Sequence, residues 1–201
     1  MNFKTSETKK NLARAFAAEC QDGARYQFMA KQAEADGLIY IKLTLKSLAK
    51  NEMAHAKLFY DYLLEEGGDN FKAGFSADYP YIVPELKSSL IEDSKLEKEL
   101  GEEIYPAFAK VAKEEGFNDI AETFEMVAKV EKSHAQILNF LGKNYKGGGV
   151  YKQKEKHVLR CSNCGHISLQ KQGWDICPLC NLGQGYIEID YSKIYEDVAC
   201  K

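Results

Sequence analysis

Asn51-Glu52-Met53-Ala54-His55-Ala56 and, 79 positions later, Val130-Glu131-Lys132-Ser133-His134-Ala135 decide how this chain is read. Each stretch sets a glutamate three residues before a histidine. The same step matches Ala33 with Ala112, Gly37 with Gly116, Ile41 with Ile120, Thr44 with Thr123, Ala49 with Ala128 and Lys50 with Lys129. A single Glu-x-x-His on a helix is a common surface pair. Two in register inside a repeated segment point to a duplicated helical hairpin whose halves face each other across one metal site.

Working outward, Ser6 to Asp36 is rich in Ala, Glu, Lys, Gln and Leu, has no proline, and can be capped by Thr5 or Ser6. It predicts a first helix, ended by Gly37. A second runs from about Leu38 to Glu66 and stops at Gly67-Gly68. Gly67 to Pro84 is too long for a tight turn and reads as a crossover. A third helix is expected from Glu85 to Glu115, kinked at Pro106, and a fourth from Phe117 to Asn144. Short, long and short connections describe an all-α four-helix bundle of ferritin-like arrangement.

Positions i and i+3 share a helix face, so Glu52 with His55 and Glu131 with His134 each present a carboxylate and an imidazole together. Two metal ions need further carboxylates from the remaining helices. Glu19, directly after the apolar stretch Ala15-Phe16-Ala17-Ala18, is the candidate on the first helix; Glu97 is the candidate on the third. Four carboxylates and two imidazoles suit iron or manganese better than soft metals, with zinc as a substitute. Tyr26 returns to the face of Glu19, and Tyr105 lies 79 residues beyond Tyr26; each phenol is placed to hydrogen-bond a ligating carboxylate. The plain alternative is a salt-bridged bundle without metal.

The composition shifts at Gly147-Gly148-Gly149. We divide the chain into a bundle at 1–146, a linker at 147–156 and a small β-rich unit at 157–201. That unit carries Cys161-Ser-Asn-Cys164 and Cys177-Pro-Leu-Cys180, two knuckles that together make a tetrahedral four-sulfur site. Spacing alone leaves iron and zinc both open. Cys20 and Cys200 read as free thiols, and His157 and His166 as surface residues.

With these motifs in place, the chain resembles the rubrerythrin family over nearly all its length. The resemblance rests on Ala18-Glu19-Cys20 with Tyr26, Asn51 to Ala56, Glu97 with Tyr105-Pro106, Lys129 to His134, and the two cysteine knuckles. It implies a ferritin-like di-iron bundle joined to a rubredoxin-like Fe(Cys)4 domain. It also implies reduction of hydrogen peroxide to water in oxidative stress defence, with electrons relayed through the cysteine-held iron. An external reductase or rubredoxin would supply them, and a homodimer with exchanged domains is the implied assembly. One departure stands out: the family carries a further glutamate ligand three residues after the position of Glu97, where this chain has Leu100. At 100° per residue, neither Glu99 nor Glu102 returns to the face of Glu97. The expected bundle site therefore has six protein ligands.

The rival readings are a ferroxidase or oxidase acting on O2, and a non-enzymatic electron-transfer or metal-binding protein with zinc in the cysteine site. A net charge of −3 with no basic block gives no case for nucleic acid. No apolar run spans a membrane, the first residues do not read as a signal peptide, and no Gly-rich dinucleotide fingerprint is present. Clustered cysteines without a secretion signal point to the cytoplasm.

Overall fold

The computed structural model describes residues 2–68, 71–82 and 85–199. Cys200, read above as a free thiol, and four residues of the crossover, 69, 70, 83 and 84, lie outside them. The helices are α1 (Glu7–Ala35), α2 (Ile39–Gly67), α3 (Leu86–Glu99), α4 (Tyr105–Glu115) and α5 (Asn118–Asn144), then α6 (Ser192–Ala199) near the end of the chain. Strands β1 (Lys152–Arg160) and β2 (Ile167–Gln172) form a two-stranded antiparallel sheet.

The Ser6 side chain accepts from the Lys9 N–H and caps α1, and Glu85 caps α3 in the same way through Ser88. The two hairpin turns are copies of one another. Leu38 donates to the Ala33 carbonyl at 2.8 Å and Phe117 to the Ala112 carbonyl at 2.8 Å, closing left-handed turns at Gly37 and Gly116.

The third helix departs from the expected Pro106 kink. It runs regularly to Glu99, passes through one π-helical turn at Leu100–Ile104, and resumes as α4. Within that turn Tyr105 donates to the carbonyl of Leu100, five residues back. Pro106 has no N–H to give the Glu102 carbonyl and its ring crowds that position, so the irregularity falls just ahead of the proline.

The turn also absorbs a difference in length between the halves. Glu19 and Tyr26 are seven residues apart, whereas Glu97 and Tyr105 are eight apart. Gly23 and Gly101 fix where the extra residue sits. A Cβ on Gly23 would lie 3.5 Å from the Ala49 carbonyl oxygen, and one on Gly101 would lie 2.7 Å from that of Ala128. The two glycines therefore make the same close approach to equivalent points on α2 and α5. The added residue lies between Gly101 and Tyr105, inside the π turn.

Two apolar clusters fill the interior. One gathers Phe59, Tyr105, Phe124 and Leu12; the other gathers Tyr26, Leu45, Ile137 and Leu138. Burial of side chains this large contributes roughly 1.5–3 kcal/mol each. The second cluster continues into the C-terminal unit through Tyr151, Leu159, Ile187 and Tyr191, so that unit packs on the bundle end. The Glu-x-x-His pairs lie between the clusters: Glu52 and His55 fall between Ala49 and Phe59 on α2, and Glu131 and His134 between Ala128 and Ile137 on α5.

Candidate metal centres

Six ionisable side chains meet in this apolar interior. Glu19, Glu52 and Glu97 are 1% exposed, Glu131 0%, His134 1% and His55 8%. Burying four carboxylates is very unfavourable unless positive charge accompanies them.

Their ligating atoms form two overlapping groups, Glu19, Glu52, His55 and Glu131 in one and Glu52, Glu97, Glu131 and His134 in the other. Within each group these atoms all lie within 4.8 Å of one another. Glu52 and Glu131 belong to both. Each group adds one carboxylate and one imidazole of its own, a donor set that could hold two metal ions with Glu52 and Glu131 available to both. His134 Nδ1 lies 2.9 Å from Glu52 Oε1 and 2.8 Å from Glu131 Oε2. His55 Nδ1 lies 3.0 Å from Glu131 Oε1, 3.2 Å from Glu52 Oε2 and 3.3 Å from Glu19 Oε2.

These short approaches are not all hydrogen bonds. Glu52 Oε1, Glu97 Oε2, both oxygens of Glu131 and Nδ1 of His134 are buried without a hydrogen-bond partner. Buried carboxylate and imidazole atoms gathered this closely, several of them without a hydrogen-bond partner, fit a cation. Iron or manganese suits this mixture of carboxylate and imidazole.

Burial and mutual charge set where protons are favoured in the cluster. Burial, followed by the charge of Glu131, pushes Glu19 and Glu97 well above the usual carboxylate range. Burial works against charge on the histidines and is overcome. The neighbouring carboxylates of Glu131, Glu19 and Glu52 favour the protonated ring and raise His55 to about 12, and Glu52 and Glu131 raise His134 to about 10. Burial acts to raise Glu131 as well, but the two imidazoles bring it down to about 2. An incoming ion must displace the imidazole protons, so metal affinity rises with pH.

The phenols cross between the halves. Tyr26 donates to Glu97 Oε1 and Tyr105 to Glu19 Oε1, so each tyrosine holds the carboxylate of the opposite half. Burial, then Glu19, drives the Tyr105 pKa well above its ordinary value. That phenol stays protonated and keeps donating. Leu100, from the π turn, packs against the Phe59 cluster, while Glu99 and Glu102 point outward and are exposed. Leu100 and Tyr105 also line a cavity of about 220 Å³ between α1 and the third helix, roofed by Ala77 to Pro80.

Two polar contacts were not anticipated from sequence. Arg25 bridges Asp22 and Asp93, donating to Asp93 Oδ1 at 2.8 Å, one helical turn before Glu97. The side-chain amide of Asn51 lies 3.3 Å from Nε2 of His134. Asn51 directly precedes Glu52, but nothing in that adjacency shows that it reaches the histidine of another helix.

The cysteine site is built from two matching knuckles. Gly165 donates to the Cys161 carbonyl at 2.8 Å, and Asn181 to the Cys177 carbonyl at 2.9 Å. Gly165 and Asn181 both adopt left-handed backbone, at φ 74° and 58°. The Sγ atoms of Cys161 and Cys180 are 3.8 Å apart, and those of Cys164 and Cys177 3.7 Å. A metal–sulfur bond of about 2.3 Å gives a tetrahedral edge of about 3.8 Å, so the four thiols fit a metal. They are too far apart for disulfides. His157 and His166 take no part in the four-sulfur group. The Leu182 N–H brings Cys180 down to about 7, favouring thiolate there.

Comparison with known proteins agrees with this pairing of centres. A family model described as Rubrerythrin matches residues 10–142 and 89–160. Rubrerythrin-1 of Clostridium acetobutylicum is 36% identical over 188 residues, covering 94% of this chain and 96% of that protein. The chain belongs to the rubrerythrin family. Other members share comparable likeness: the rubrerythrin of Porphyromonas gingivalis is 35% identical over 93% of this chain and 92% of its own. Among solved structures, nigerythrin in its fully reduced, all-ferrous state gives a TM-score of 0.61 at 24% identity, covering 94% of both chains. The bacterioferritin of Desulfovibrio desulfuricans, a protein with a di-iron site, gives 0.59 at 24% identity over 71% of this chain and 82% of its own. These two likenesses establish the ferritin-like fold. Among the described residues, no helix is long and apolar enough to cross a membrane.

Proposed function

We propose that this member of the rubrerythrin family is a peroxidase that reduces hydrogen peroxide to water, with iron at both centres. The observation that carries the reading is the pairing, in one chain, of a buried site with two shared carboxylates and a separate four-thiol site. Reducing hydrogen peroxide takes two electrons and two protons and yields two waters. Iron held by Glu19, Glu52, His55, Glu97, Glu131 and His134 would supply one electron per ion and polarise the departing oxygen. Iron held by Cys161, Cys164, Cys177 and Cys180 would return the electrons, drawn from an external reductase or rubredoxin.

The surrounding residues do the positioning. Tyr26 and Tyr105 fix the two terminal carboxylates, and the apolar clusters on either side exclude bulk water. The cavity at Leu100 and Tyr105 offers a small peroxide a place beside Tyr105, whose phenol donates to Glu19. The working assembly in this reading is a cytoplasmic homodimer with exchanged C-terminal domains.

Steady-state rates with hydrogen peroxide and with O2, under one set of reducing conditions, test the reading. A higher kcat/KM for peroxide is expected. Equal or greater activity with O2 overturns the peroxidase assignment in favour of an oxidase. A colourless cysteine domain in the aerobic protein removes the electron relay.

A further inference from the structure

The two imidazoles present the same nitrogen to the carboxylates and differ on the other side. Both turn Nδ1 inward. On the outer side, Nε2 of His134 lies 3.3 Å from Nδ2 of the Asn51 amide. The 79-residue repeat maps His134 onto His55 and Asn51 onto Val130. The place from which an amide would meet the outer nitrogen of His55 is therefore taken by a valine, which neither donates nor accepts. Among the described residues, the hydrogen bonds and ion pairs of His55 run through Nδ1 alone.

We infer that Asn51 is a positioning residue for His134, and that its replacement by Val130 in the second half makes the two metal positions unequal. With Nδ1 presented to an ion, Nε2 carries the ring proton. The Asn51 amide, turned with Oδ1 toward the ring, accepts it, which fixes the tautomer and ring plane and raises the basicity of Nδ1. His55 has no such clamp. It is also the more exposed of the two, at 8% against 1%. The position served by His134 and Glu97 binds its ion more tightly, and the position served by His55 and Glu19 more loosely. Asn51 is half-buried at a pocket between α2 and α5 that is also lined by Ser47, Ser133 and Tyr191, so its amide has room to turn.

This inference rests on reading the six-residue cluster as a two-metal site, and the test separates the two. Full-length protein that retains its cysteine-bound metal is titrated anaerobically with manganese(II) by calorimetry. Two binding steps of different affinity are expected for the wild type. Asn51→Val should weaken the tighter step by about 10–100-fold and leave the looser one in place. Asn51→Asp, which keeps an acceptor, should retain the tighter step, and Val130→Asn should strengthen the looser one. If Asn51→Val leaves both steps unchanged, or weakens both equally, the assignment is overturned. Absence of manganese binding by the wild type sinks the two-metal reading, and this inference with it.

Discussion

The first half of the bundle, α1 with α2, and the second half, α3 to α5, each present two glutamates and a histidine from unlike backbones. Glu52 and His55 recur as Glu131 and His134 at a constant step, and so do the turns at Gly37 and Gly116. Glu19 and Glu97 do not keep that step, because the second half holds one residue more between its glutamate and its tyrosine. The π turn at Leu100–Ile104 takes up the surplus and returns Tyr105 to the place that matches Tyr26. The comparison teaches that the inward geometry of the site is preserved while its supports diverge. Leu100, Pro106 and Val130 all mark the second half.

The largest effect expected from this view separates shared from unshared carboxylates. Glu131→Ala and Glu52→Ala should each empty both bundle positions. If the proposed peroxidase reaction holds, peroxide turnover should then fall by roughly a thousandfold or more, since in it the metals would carry the electrons. Glu19→Ala and Glu97→Ala should each empty one position. Metal content per chain distinguishes these outcomes; if the unshared carboxylates prove as damaging as the shared ones, the bridging assignment fails.

A smaller effect concerns the π turn. Deleting Glu102 would restore the seven-residue spacing of the first half, but it would place Pro106 inside a regular helix. Chemical denaturation should show a loss of about 3 kcal/mol, most of it recovered when Pro106→Ala is added. A neutral deletion would mean that the turn does not accommodate the proline.

The smallest effect tests the crossed phenols. Tyr26→Phe and Tyr105→Phe should each weaken metal binding by about tenfold, and by similar factors, because each frees one terminal carboxylate. A large effect from only one of them would break the symmetry at the level of the site itself.

Much of this was legible in the sequence for definite physical reasons. Helical composition and the glycines at the helix ends placed the long helices within a residue or so of their observed ends. The duplicated Glu-x-x-His required two facing helices, and the four-cysteine spacing required a knuckle pair. The π turn was not legible from composition, since Leu100 to Ile104 reads as ordinary helix. Its signal lay in the arithmetic of the repeat, where Glu19 and Glu97 differ by 78 positions while the tyrosines differ by 79. Pro106 marked an irregularity, but the disturbance lies on its N-terminal side. A π turn does not keep 100° per residue as far as Glu102; exposure is what removes Glu102 from the site. Asn51 escaped notice because its partner sits on another helix, 83 residues away.

The most direct test of the central claim is a crystal structure of the protein as isolated, with each metal identified from anomalous scattering at its own absorption edge. The account requires two iron ions in the bundle sharing Glu52 and Glu131, one bound by Glu19 and His55 and the other by Glu97 and His134. It also requires a third iron held by the four cysteines. A bundle holding a single ion or none, or cysteines joined as disulfides, would contradict it.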